Sequence, residues 1–200
     1  MSIIFHEKQD GSLCAVHALN ALLQGEYFTA VDLASLANQV DDQERRAMAE
    51  AGPNNESYLE FLSGPSQNMD DSGFFSVQVL EKALAVWNLE LINYESSHEV
   101  ARSLRNNPSS ATAYIANQHE HWLTIRRFGP YWFNLNSLLP GPERISDTFL
   151  SLYLAQLLNE RYSIFIVHGT LPTSAGDRVL VDIPQSDIDS FLKLIDGSHQ

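Results

Sequence analysis

Cys14 is the only cysteine in the 200-residue chain. It follows Gly11, Ser12 and Leu13 and opens "CAVHALNALLQG", whose apolar residues predict a helix from Leu13 to Gln24 that stops at Gly25. With Ser12 as N-cap, Cys14 falls in the first turn, where unpaired N–H groups and the helix dipole favour a negative charge. Such surroundings favour the thiolate, which is the nucleophilic form. The plainer reading of a lone cysteine is a small buried hydrophobe.

A nucleophilic thiolate needs a base and a group that orients the base. The strand-like stretches "WLTIRRF" and "YWFNLN" flank Gly129-Pro130 and predict a hairpin. If its loop is symmetric, His121 falls opposite Leu138 and Asn136 opposite Leu123. Side chains alternate along a strand, so His121 and Asn136 share a face as diagonal neighbours, roughly 7–8 Å apart at the backbone. Asn134 lies on the same face one pleat further away, and His119 is displaced in the other direction. Gln9, in the polar "EKQDGS" loop, offers its side-chain NH2 to a tetrahedral oxyanion, with the backbone N–H of Cys14 as the second donor.

Other histidines compete for these roles. His17 follows Cys14 by one turn on a polar stripe with Asn20 and Gln24. It is the alternative base, because helical side chains lean toward the N-terminus; a satisfied polar contact beside the site is the plainer reading. His119 and His121 would make half of a metal site, but a single cysteine and no carboxylate partner argue against one. A P-loop, a dinucleotide-binding glycine turn and a CxxC pair are all missing, and "HEHWL" departs from HExxH at Leu123. Neither metal nor cofactor is expected.

The elements that must position these residues fall into two textures. Thr29 with Asp32 resembles a capping box and opens a second helix through about Val40. "DDQERRAMAEAG" reads as a polar helix ending at Gly52-Pro53, and 55–62 as another short one; together they predict an arm that projects from the body. "DDSGFF" is expected to cap a helix on which Phe75, Val79, Ala83, Leu84 and Trp87 recur at helical spacing. From Leu89 onward the chain turns to short β-branched and aromatic runs, "LELINY", "TAYIAN", the hairpin pair and "YSIFIVH", interrupted by one helix capped at Ser146 or Asp147. Helices followed by strands predict an α+β domain with a mostly antiparallel sheet. From Leu171 the chain mixes Pro, Gly, Ser and Asp around an apolar patch at 191–195, which is the composition of a tail.

Composition bounds the function. Hydrophobic residues make up 44% and aromatics 10%, which predicts a globular chain. The formal charge of −13 argues against nucleic acid or an anionic membrane as the main partner and suits a basic one. The opening "MSIIFHEKQD" is too short in apolar residues for a signal peptide, and a soluble intracellular protein is expected.

Several long motifs, "IFHEKQDGSLCAVHALNALLQGEYF", "NMDDSGFFSVQVL", "HWLTIRRFGPYWFNLNSLLPGPERISDT" and "YSIFIVHG", resemble the Josephin domain, a papain-like family of cysteine deubiquitinases. The resemblance runs from about residue 3 to residue 171, is weakest at 96–111 and is lost in 172–200. It implies a papain-like fold with a protruding helical hairpin that gates the cleft. It also implies Cys14 as nucleophile, His121 as general base, Asn136 as its orienting residue and Gln9 as oxyanion donor. Ubiquitin, polyubiquitin chains and ubiquitinated proteins are the implied partners. Val77 and Gln78 match a ubiquitin surface near the cleft, and Tyr27, Phe28 and Trp87 match a second patch; on spacing alone Trp87 reads as core. The reaction implied is hydrolysis at the ubiquitin C-terminus through an acyl-enzyme, in the cytoplasm and nucleus. A ubiquitin-binding module with a dormant site is the alternative, and a transglutaminase-like acyltransferase would more often use aspartate where Asn136 stands. No polyglutamine run and no ubiquitin-interacting helix is read after residue 171.

Overall fold

The apolar run after Leu13 forms α1 (Cys14–Leu23), and every residue in it except His17 is buried. The computed structural model describes residues 3–9, 11, 13–50, 52, 56–71, 73–119 and 121–197. Ser12, the expected N-cap, lies outside them, as do Pro53 and Asn55; the N-cap position itself is Leu13. At the far end the left-handed residue is Gln24 (φ 66°), not Gly25. A Cβ at Gly25 would meet the Tyr27 ring at 2.8 Å, so a larger residue there would displace that ring.

The second expected helix and the polar one after it are a single helix, α2 (Ala30–Glu50), opened by the Thr29–Asp32 capping box. Its buried residues, Leu33, Ala37 and Val40, end well before its C-terminus. It pairs with α3 (Glu56–Ser63) as an arm. Asn68, 2% exposed, donates to both Asp41 and Glu44 and accepts from the Ser76 hydroxyl, tying α2 to the start of α4 (Val77–Ala85). The hydroxyl of Ser76 is therefore spent on Asn68 and caps nothing, while Asp70 accepts from Phe74 N–H; Ser72 of the expected "DDSGFF" cap lies outside the described residues.

The second half is β1 (Glu90–Asn93), α5 (Glu99–Asn106), a 3-10 turn at Pro108–Ser110, β2 (Ala113–Gln118), β3 (His121–Phe128), β4 (Tyr131–Asn134), β5 (Glu143–Ile145), α6 (Asp147–Asn159) and β6 (Ser163–His168). The strands form one antiparallel sheet ordered β1-β6-β2-β3-β4-β5. This is the expected α+β class and fits a papain-like fold. Helix α5, short and mostly exposed, and strand β5, only three residues long, escaped the sequence reading. Ser146 caps α6 by accepting from Phe149 N–H. The β3–β4 turn is symmetric about Gly129 (φ 55°) and Pro130, pairing Phe128 with Tyr131.

One sheet face meets α1 through alternate residues of β3. Trp122 N–H donates to Cys14 Sγ (3.3 Å), Thr124 Oγ1 to the Ala18 carbonyl (2.8 Å), and the Arg126 guanidinium to the Leu22 carbonyl. Leu123, Ile125 and Trp132 point to the other face, where α5 and α6 close a second core.

The tail composition from Leu171 conceals two helices, α7 (Ala175–Leu180) and α8 (Ile188–Gly197). Leu180 and Ile188, both 0% exposed, close a third core over Phe128, Tyr131, Phe133 and Leu135. The polar residues that diluted this segment are spent on caps: Ser174 and Asp177 form a reciprocal capping box. Asp177 also pairs with Arg126 at 2.7 Å, balancing a guanidinium that is 1% exposed. Removing one partner of a buried pair leaves an uncompensated charge. Asp177→Ala should therefore lower unfolding stability by about 3 kcal/mol, whereas Arg45→Ala, from the exposed Arg45–Asp42 pair of the arm, should stay within about 0.5 kcal/mol. Urea unfolding of the two variants measures the contrast.

Candidate active site

Cys14 stands at the first position of α1. The side chain is 2% exposed, and the sulfur rests against the peptide that joins His121 to Trp122, whose N–H it accepts. The Trp122 indole in turn donates to the Phe75 carbonyl at 3.0 Å, so the start of β3 is fixed to the loop before α4.

His121 opens β3, and its Nε2 meets Asn136 Oδ1 at 3.1 Å. The two residues meet, but not by a continued ladder. Strand β4 ends at Asn134, Leu135 N–H makes the last bond to Thr124, and the chain turns at 136–139. The bond itself settles which way each group points. Asn136 Oδ1 also accepts from Leu138 N–H at 3.1 Å, so the atom presented to the imidazole is an oxygen. An oxygen there requires a proton on Nε2, which leaves Nδ1 as the basic nitrogen of the neutral ring. Burial pushes the His121 pKa below its ordinary value, and the hydrogen bond it donates to Asn136 partly restores it. A ring held neutral near pH 7, with its lone pair on Nδ1, is suited to take a thiol proton.

Gln9 is bound to the same loop. Its backbone N–H donates to the Ser137 carbonyl (2.8 Å), and its Oε1 accepts from the Ser137 hydroxyl (2.9 Å). Its Nε2 donates to the Gly11 carbonyl, which fixes the carboxamide orientation and leaves the second N–H of that NH2 for a ligand. Ser137, 3% exposed, thus couples the residue beside it, Asn136, to Gln9 across the chain. Sequence reading missed Ser137, and its adjacency to Asn136 in "FNLNS" was the one available signal.

His17 lies apart from this chemistry. Its Nδ1 pairs with Glu7 at 2.8 Å, while Gln24 exchanges hydrogen bonds with the backbone of Phe5. The polar stripe on α1 therefore straps the N-terminal segment that delivers Gln9. His119 sits in the β2–β3 turn with φ 50°, a left-handed position that histidine tolerates, rather than on the strand face with His121. Among the described residues, no cluster of three His, Cys, Asp or Glu side chains is arranged to hold a metal.

The binding residues suggested by the resemblance fall on two surfaces. Val77 and Gln78 form the first turn of α4, half-buried and exposed respectively. Tyr27 and Trp87 meet edge to face with centroids 4.8 Å apart, and Phe28 is half-buried beside them. Asn20, buried in α1, accepts from the N–H groups of Tyr27 and Phe28 and so holds the second patch. Trp87 is half-buried against the core around α1 rather than enclosed in it.

Comparison with known sequences matches residues 9–168 to the Josephin family. Ataxin-3 of Homo sapiens is 57% identical over 180 residues, covering 90% of this chain and 49% of that protein. The Homo sapiens ataxin-3-like protein is 52% identical over 190 residues, covering 95% and 53%. A Caenorhabditis elegans ataxin-3 homolog is 46% identical over 177 residues, covering 88% and 53%. The chain spans about half the length of the curated relatives it matches.

With the thiol removed as Cys14→Ala, His121 should titrate below 6.5, and Asn136→Ala in that background should lower the midpoint further by deleting a bond that favours the protonated ring. Because the folded-state value lies below the unfolded one, stability linked to this group is intact above about pH 6.5 and lost as pH falls. Imidazole NMR titration measures both midpoints; a rise on Asn136→Ala would contradict the assignment.

Proposed function

The chain belongs to the Josephin family, and on that footing we propose that it is a cysteine-type deubiquitinase, a ubiquitinyl hydrolase acting at the ubiquitin C-terminus. The observation that carries this reading is the conjunction at the start of β3: a sulfur against the His121–Trp122 peptide and an imidazole whose Nε2 is held by Asn136.

In the proposed reaction, Nδ1 of His121 accepts the thiol proton as Cys14 Sγ adds to the (iso)peptide carbonyl. The developing oxyanion takes hydrogen bonds from the unspent N–H of Gln9 Nε2 and the backbone N–H of Cys14. The imidazolium then protonates the departing lysine amine as the C–N bond breaks, leaving a thioester. His121 next deprotonates a water that attacks the thioester and returns the proton to sulfur. Asn136 keeps the ring turned throughout. The scheme needs no metal or cofactor. Ubiquitin, polyubiquitin chains and ubiquitinated proteins are the proposed partners, with Val77 and Gln78 contacting the ubiquitin being cleaved and Tyr27, Phe28 and Trp87 a second one. Cytoplasm and nucleus are the proposed locations. No helix in the described residues is long and apolar enough to cross a membrane.

One observation favours the second reading, a dormant ubiquitin-binding module: the Cys14 side chain is 2% exposed, so substrate must gain access to it. A ubiquitin probe with a C-terminal electrophile separates the two. Wild-type protein should be labelled at Cys14 and Cys14→Ala should not. His121→Ala should lose roughly 10²–10⁴ in turnover. Folded wild-type protein that gives no adduct under reducing conditions would establish the binding module instead.

A further inference from the structure

We propose that Asn134 and Tyr153 are positioning residues of this site: the Tyr153 hydroxyl holds the Asn134 carboxamide, which in turn holds the Asn136 backbone in place. The inference rests on the proposed acyl-transfer role of Cys14, His121 and Asn136.

The need for such support comes from where Asn136 sits. The ladder between β3 and β4 stops one residue before it, so no strand pairing fixes it. Its backbone N–H instead donates to Asn134 Oδ1 at 3.1 Å. Asn134 is 7% exposed, and a buried carboxamide must satisfy both of its ends. Its Nδ2 donates to the Tyr153 hydroxyl at 3.3 Å. Tyr153 belongs to α6 on the opposite side of the sheet from α1, and its ring stacks on Phe149 with centroids 5.9 Å apart. Three hydrogen bonds therefore run from α6 to the imidazole, through Asn134 and Asn136.

The tyrosine hydroxyl has a definite task. A carboxamide is nearly symmetric in shape, and its two orientations differ only in which partners they satisfy. With the hydroxyl present, one orientation satisfies both ends of Asn134. With phenylalanine instead, the buried NH2 loses its partner, and the bond from the Asn136 N–H is left to hold the amide by itself. Rotation would then turn a donor toward the Asn136 N–H, and the oxygen facing His121 Nε2 would lose its anchorage. Tyr153 reaches no reacting atom, so its effect must pass through the asparagines.

The test uses Tyr153→Phe and Asn134→Leu in the full chain, with two readouts. With ubiquitin bearing a fluorogenic C-terminal amide, Tyr153→Phe should lower kcat about 3- to 10-fold and Asn134→Leu about 10- to 100-fold, with KM changed less than about twofold. In the Cys14→Ala background, where no turnover is needed, imidazole ¹⁵N shifts should report a single Nε2–H tautomer of His121 that becomes mixed in both variants. A lower kcat with an unchanged tautomer would overturn the proposal, because the loss would then be general loosening. Unchanged kcat and tautomer would overturn it equally. If Asn134→Leu does not fold, Tyr153→Phe decides alone, since it deletes a single hydroxyl. Should the wild type prove inactive toward ubiquitin, the tautomer readout still decides the positioning role, and only the deubiquitinase reading fails.

Discussion

Four residues of α-helix advance about 6 Å and two residues of β-strand about 6.7 Å, and the whole site stands on that near match. Cys14, Ala18 and Leu22 recur every four residues along α1, and they meet Trp122, Thr124 and Arg126, which recur every two along β3. The helix is bonded to the strand at its first turn, its middle and its end. A slip of one residue would rotate α1 by about 100° and break all three contacts at once. The position of the sulfur is thus set by the entire helix–strand interface and not by the loop that precedes it.

The opposing half of the site is built differently. His121 is on the sheet, but its partner lies where the sheet has ended. Rigidity there comes from short side-chain hydrogen bonds: Asn134 and Asn136 accept from the backbone N–H groups of Asn136 and Leu138, and the Ser137 hydroxyl donates to the Gln9 carboxamide. Each carboxamide in this loop is fixed in orientation by a backbone or hydroxyl partner, which makes a flexible segment behave as a template. The N-terminal segment shares in it, since Glu7 is pinned by His17 and Phe5 by Gln24. An apolar helix with one polar stripe is the economical means of holding both the nucleophile and the strand of chain that carries Gln9.

Packing also explains why a polar C-terminal segment belongs to the domain. Arg126 spans the space between the end of α1, Pro172 and Asp177. Its burial pushes the guanidinium pKa down, and the carboxylate of Asp177 opposes that shift. The helix that bears Cys14 is therefore braced from behind by residues after 171, which also cover the aromatic edge of β4.

Periodicity, caps and turn residues are local properties, and they made α1, the Thr29 and Ser146 caps, the hairpin about Gly129-Pro130 and the α+β class legible from residue order alone. Strand alternation singled out His121 and Asn136 in the sequence, but Asn136 lies past the end of β4, so the turn that follows the strand makes their contact. Other features needed the folded chain. Whether Ser76 caps a helix or bonds Asn68, whether residues 175–197 hang free or close a core, and how far a ladder continues past Asn134 all depend on partners distant in sequence. A side chain's residue type states which bonds it can make; only the arrangement of its neighbours in space selects among them, since each donor binds the acceptor that packing brings within about 3 Å.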